Sequence, residues 1–105
     1  IMESAYYIFR ITGDSTYYNM NKQYWSDIKE FCRNDVAFTS VENVETMEKR
    51  DYMPTFFFAE TLKYLYLTFS NQTTYHIDDY VFNTEAHPFK KTNFNHEKAS
   101  EHLGF

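Results

Sequence analysis

Residues 54–69, from Pro54 through Phe56-Phe57-Phe58-Ala59-Glu60-Thr61-Leu62-Lys63 to Phe69, are apolar or aromatic on nearly every side of a helix. A helix without a polar face has to be surrounded by other protein or by lipid. The run is too short for lipid, since a span takes about 20 residues, and it carries Glu60 and Lys63. It therefore reads as a core helix within a larger body. Pro54 suits its first turn, where a missing N–H costs little.

Glu60 is the sharpest feature of that helix. A bare carboxylate in an apolar run is very costly to bury, so it has to be protonated, paired, or linked through water to a cation. The plain alternative is a salt bridge to an arginine.

Around this helix the pattern is mainly α. Ile1 to Ile11 reads as a helix already under way, with Met2, Ala5, Tyr6 and Phe9 at helical spacing and no capping residue ahead of it. Thr12-Gly13-Asp14 breaks it. Asp14 or Ser15 then caps a second helix with the stripe Tyr17, Met20, Tyr24, Ile28, Phe31, so the two form an antiparallel hairpin. Helical period is lost from Arg33 to Asp51, where Ala37 to Val41 favours a short strand or ordered loop. Ser70 to Thr74 is a polar loop, Val81-Phe82 starts a short strand or hairpin, and residues 90–105 read as a loosely held polar tail.

Composition excludes several classes. A net charge of -5, with no basic block before Lys90-Lys91, argues against a nucleic-acid partner and for a cation. The single cysteine, Cys32, allows no internal disulfide and no cysteine-type zinc cluster. His76, His96 and His102 have no ligand spacing with one another. An aromatic content of 21%, with 10 Tyr and 11 Phe against 2 Gly and 2 Pro, suits a large packed interior with rings lining a cavity. Asn71-Gln72-Thr73 is an N-glycosylation sequon between two elements, which matters in a lumenal or secreted protein.

The segment Val81-Phe82-Asn83-Thr84-Glu85-Ala86-His87-Pro88, taken with Phe56 to Leu67 and Glu3-Ser4, closely resembles the C-terminal part of the class I alpha-mannosidases, glycoside hydrolase family 47. The resemblance runs from Ile1 to about Phe89 in the family's order. It implies that residues 1–89 are the C-terminal portion of an (αα)7 barrel of paired helices, a domain several times longer than this chain. A short β-hairpin then carries the calcium-binding threonine.

The implied cofactor is Ca²⁺, with Thr84 as the only protein ligand, through its hydroxyl and carbonyl. These are hard oxygen donors of the kind the ion takes. On the residues alone, the favoured reading of Thr84 is a turn threonine, and the resemblance overrules it. By the same resemblance Glu85, Glu60 and Glu3 reach the ion through waters, Glu60 and Glu3 also face the sugar, and Phe56 packs against the apolar face of a terminal mannose. Phe57 and Phe58 read as core, and His87 as a hydrogen-bonded structural imidazole. The family pattern Arg-Pro-Glu-x-x-Glu-Ser matches here only from x-x-Glu-Ser, so Glu3 is its second glutamate. The first, the general base, is expected just upstream of Ile1. The sequence departs from the family at Met53-Pro54-Thr55, where members commonly carry Met-Glu-Ser.

The expected activity is that of an inverting exo-alpha-1,2-mannosidase trimming high-mannose N-glycans in the endoplasmic reticulum or Golgi lumen, held by an N-terminal membrane anchor outside this sequence. The expected partners are those glycans and the rest of the catalytic domain. A non-catalytic glycan receptor for misfolded glycoproteins is the alternative. Ala86 favours the processing enzymes, because degradation-linked members often carry Gly there.

Overall fold

A computed structural model describes residues 1–104. Helix α1, Met2–Thr12, begins without a side-chain cap at Ile1 and stops at Gly13, whose φ of 72° is the left-handed conformation that a residue lacking Cβ adopts freely. Helix α2, Ser15–Phe31, is capped by Asp14, whose carboxylate accepts the Thr16 N–H at 2.8 Å. The same bond holds the Asp14 pKa below its usual value. α1 and α2 pack as the expected hairpin.

The next segment contains two short strands, β1 (Ser40–Asn43) and β2 (Glu48–Arg50), paired antiparallel with an irregularity between Val41 and Asn43. β1 starts three residues later than Ala37, because the Asn34 side chain accepts the Val36 and Ala37 N–H groups and closes a turn there. The core helix is not uniform. Phe57–Leu62 is π-helical, and Lys63–Phe69 continues as α3. Strands β3 (Tyr80–Phe82) and β4 (Pro88–Lys90) form a second antiparallel hairpin, in register Tyr80 with Lys90 and Phe82 with Pro88.

The tail, expected as a loosely held polar segment, contains local helical structure and is exposed almost throughout. A 3₁₀ turn at Lys91–Asn93 leads into α4, His96–Leu103, capped by Asn95, whose side chain accepts the Lys98 N–H at 2.9 Å. No apolar stripe announces this helix; the local cap does. The last residue of the predicted tail, Phe105, lies outside the described residues.

The core is small and aromatic. Tyr6, Tyr64, Leu67 and Ala86 are buried together, with Met2, Tyr7, Ile77 and Phe82 packed around them. A buried polar joint ties the three helices. Asn21, fully buried, donates from Nδ2 to the Met2 carbonyl (3.1 Å) and to Thr68 Oγ1 (2.8 Å), while the Thr68 hydroxyl donates to the Tyr64 carbonyl. Arg10 reaches from α1 to the end of α3, donating to the carbonyls of Leu67 and Ser70. These are the last carbonyls of a helix, which a cation satisfies in both hydrogen bonding and dipole.

The Pro54–Phe69 helix, read as needing a larger body around it, has uncovered faces among the described residues. Phe58 (55%), Tyr66 (61%) and Phe69 (40%) are exposed, because α1, α2 and the hairpin residues Phe82 and Ala86 cover only part of the helix. The shape agrees. The radius of gyration is 17.4 Å, against about 13 Å for a compact chain of this length. The accessible surface is 7924 Å² for 12.7 kDa, against roughly 6,200 Å² for a closed globule of that mass. One face of the bundle is packed and the other is open.

Candidate functional site

Two of the predicted carboxylates meet. Glu3 stands in the first turn of α1 and Glu60 in the π-helical turn, and both line one cleft of about 100 Å³ together with Ile1, Met2, Thr61 and Tyr64. A π turn widens the helix locally and recurs at functional sites. The Tyr64 hydroxyl donates to Glu3 Oε1 at 3.1 Å, clamping the start of α1 to the core helix. Burial raises the Tyr64 pKa far above 10.0, and the neighbouring Tyr7 and Glu3 add to the rise. The phenol therefore stays a donor to the carboxylate through the whole ordinary pH range.

Glu60 is half-buried rather than enclosed, which relieves the desolvation expected of it. Neither Glu60 nor Glu3 belongs to an ion pair among the described residues, where Arg50 pairs with Glu42 and His76 Nδ1 lies 3.6 Å from Asp78. Phe56 lies next door. Its ring is 55% exposed and lines a shallow cavity of about 170 Å³ with Tyr52, Met53, Pro54 and Phe57, and Thr61 forms a wall of both hollows. Phe57 packs inward on Phe38 (5.0 Å between ring centroids), as a core residue does, whereas Phe58 is exposed.

Thr84 sits at the tip of the β3–β4 hairpin, exposed, and does not line the Glu3–Glu60 cleft. Asn83 builds that tip. Its Oδ1 accepts the N–H groups of Glu85 (3.0 Å) and His87 (2.9 Å), and its carbonyl accepts the Ala86 N–H at 2.9 Å. Among the described residues the Thr84 hydroxyl and carbonyl make no hydrogen bond, so both oxygens remain open for a ligand. Glu85 beside it is exposed. His87 is a correction. Its backbone, not its imidazole, makes the structural bonds, donating to Asn83 Oδ1 and accepting the Asn83 N–H at 3.1 Å.

The hairpin tip is joined to the core helix at two points. Lys63, one turn beyond Glu60, donates from Nζ to the Ala86 carbonyl at 2.8 Å. Ala86 itself is fully buried against Tyr64 and Leu67 with φ 57°. Sequence reading missed Lys63, Tyr64 and Asn83 as positioning residues. Each carried a signal, though: a lysine inside an apolar run, a tyrosine hydroxyl facing the core, and an asparagine opening a turn.

The protein-family model described as glycosyl hydrolase family 47 matches residues 1–91. The chain belongs to that family. Among curated relatives of this family-47 chain, a mannosyl-oligosaccharide 1,2-alpha-mannosidase of Arabidopsis thaliana is 40% identical over 89 residues, covering 85% of this chain and 16% of the relative. The endoplasmic reticulum mannosyl-oligosaccharide 1,2-alpha-mannosidase of Homo sapiens is 41% identical over 92 residues, covering 83% and 13%. An ER degradation-enhancing alpha-mannosidase-like protein of Saccharomyces cerevisiae is 36% identical over 114 residues, covering 96% and 14%. The chain thus spans about a seventh of the length of these relatives. No described helix is long and apolar enough to cross a membrane.

Proposed function

We propose that this family-47 chain is the C-terminal portion, residues 1–89 with a polar tail at 90–105, of a calcium-dependent inverting exo-alpha-1,2-mannosidase with an (αα)7 barrel. It acts on high-mannose N-glycans in the endoplasmic reticulum or Golgi lumen. The observation that carries the reading is the convergence of Glu3 and Glu60 on one cleft, on a helix that Lys63 ties to the hairpin whose threonine oxygens are both open. The open, apolar side of α3 fits a chain that completes its fold against the rest of the domain.

Thr84 fits calcium as a donor set. It offers two hard oxygens on one residue, and no described cluster of three or more Asp, Glu, His or Cys competes as a metal cage. Thr84 would hold the ion directly, with Glu85, Glu60 and Glu3 reaching it through waters. When bound, calcium would supply a Lewis-acid charge that attracts the hydroxyl oxygens of the sugar. The chain's own residues do the rest. Glu60 and Glu3 accept hydrogen bonds from sugar hydroxyls, Tyr64 donates to Glu3 at the cleft, and the Phe56 ring covers the apolar face of the sugar. An inverting enzyme also needs a carboxylic acid for the leaving sugar and a carboxylate that activates water on the opposite face. Both belong to upstream sequence, the base just before Ile1.

The second reading is a glycan receptor in the degradation of misfolded glycoproteins, favoured by the similarity to the yeast degradation-enhancing protein over 96% of this chain. Assaying the full-length protein on a high-mannose glycan, with and without a calcium chelator, separates the two. Chelator-sensitive release of mannose supports the enzyme. Glycan binding without release supports the receptor.

A further inference from the structure

Asn71-Gln72-Thr73 is the one Asn-x-Ser/Thr sequon in the chain, and its three residues are exposed. It follows directly on the end of α3, where Arg10 holds the Ser70 carbonyl at 3.2 Å and so fixes the base of the loop. The loop then turns back on itself. The Asn71 carbonyl accepts the Thr74 N–H at 2.9 Å, and Asn71 Oδ1 accepts both the Thr73 N–H and the Thr73 hydroxyl, each at 3.1 Å. These bonds occupy the carboxamide oxygen and leave Nδ2, the nitrogen that would be modified, without a partner among the described residues.

From this we infer that Asn71 is an N-glycan acceptor, a modification site separate from the sugar cleft. It rests on the lumenal reading above. The donor is an oligosaccharide carried on a polyprenyl diphosphate. The bond from the first sugar's C1 to the diphosphate oxygen breaks, and the polyprenyl diphosphate leaves with the electron pair. A C1–Nδ2 bond forms, and the Nδ2 proton passes to a base of the transferase. Position favours the assignment. Asn71 lies at the opposite end of the core helix from Glu60, roughly 15 Å along an axis rising about 1.5 Å per residue, so a glycan there leaves the cleft open. The loop is also exposed polar chain, where bulky, solubilising additions are tolerated.

The test is to produce the full-length protein in a eukaryotic secretory host, treat it with peptide N-glycosidase in heavy-oxygen water, and map the peptide containing Asn71. Two versions are compared, one with its own targeting sequence and one exported behind a cleavable leader. Conversion of Asn71 to labelled Asp is expected in the exported protein, lost in Asn71→Gln and Thr73→Ala and retained in Thr73→Ser. An exported protein whose Asn71 peptide is wholly unlabelled overturns the inference. Labelling only behind the added leader upholds the acceptor and overturns the lumenal reading instead.

Discussion

Thr84→Ala removes the hydroxyl and leaves the carbonyl and the turn, because Asn83 and Ala86 hold the tip through other atoms. In the full-length protein tight calcium binding and nearly all trimming are expected to vanish, and a chelator is expected to mimic the variant. Unchanged calcium affinity in titration calorimetry would refute the ligand assignment. Glu60→Gln keeps the shape of the cleft and removes a charge that acts through water, so the expected loss is about 10–100-fold in metal affinity or turnover. A lowered melting temperature with normal turnover per folded molecule would make Glu60 a structural residue. Tyr64→Phe addresses the clamp on Glu3 through pH. The native state raises the Tyr64 pKa above 10.0, so below pH 10.0 the phenol is protonated folded and unfolded, and its contribution is constant. Above that the unfolded chain loses the proton first, and stability falls as pH rises toward the folded pKa. Denaturant midpoints on either side of pH 10.0 are expected to fall less steeply in Tyr64→Phe than in the parent; equal slopes would exclude the burial.

At the scale of elements, the joint most open to test is the grip of α1 on the end of α3. Arg10→Met keeps the apolar stem beside Tyr6 and Phe9 and removes the donors to Leu67 and Ser70. A loss of about 1–2 kcal/mol is expected, the upper range for a cation at a partly buried helix end, read from denaturant midpoints. No change would mean that water replaces the guanidinium. α1, α2 and the Thr84 hairpin were legible in the sequence, because stripe, cap and turn residues are local signals. The π turn around Glu60 was not, since its hydrogen-bond shift depends on packing rather than on residue type. Uncovered faces on this helix were expected from its all-round apolar pattern, but which side chains stay open, Phe58 and Tyr66 among them, was not legible, because that depends on where α1, α2 and the hairpin pack. Glu3 and Glu60 could be picked out individually, yet only the fold puts them on one cleft, and it leaves Thr84 outside that cleft.

For the whole molecule, the open face of α3 decides behaviour. Made as these 105 residues alone, the chain is expected to self-associate and to melt without cooperativity, because Phe58, Tyr66 and Phe69 form an apolar surface with no cover. A compact, cooperatively melting monomer in light scattering would contradict this. The clamp between Tyr64 and Glu3 has a further consequence, for the order of events in folding. It joins residues 61 apart in sequence, and the Arg10–Leu67 bond joins residues 57 apart. Such contacts close late, after the local hairpins, because loop entropy opposes them. The cleft, built across that contact, is then expected to form late, so a ligand for it would select molecules in which α1 has already docked. A ligand of that kind would slow unfolding and leave the folding rate untouched, so the proposed site would act as a kinetic latch on a chain that has already found its shape.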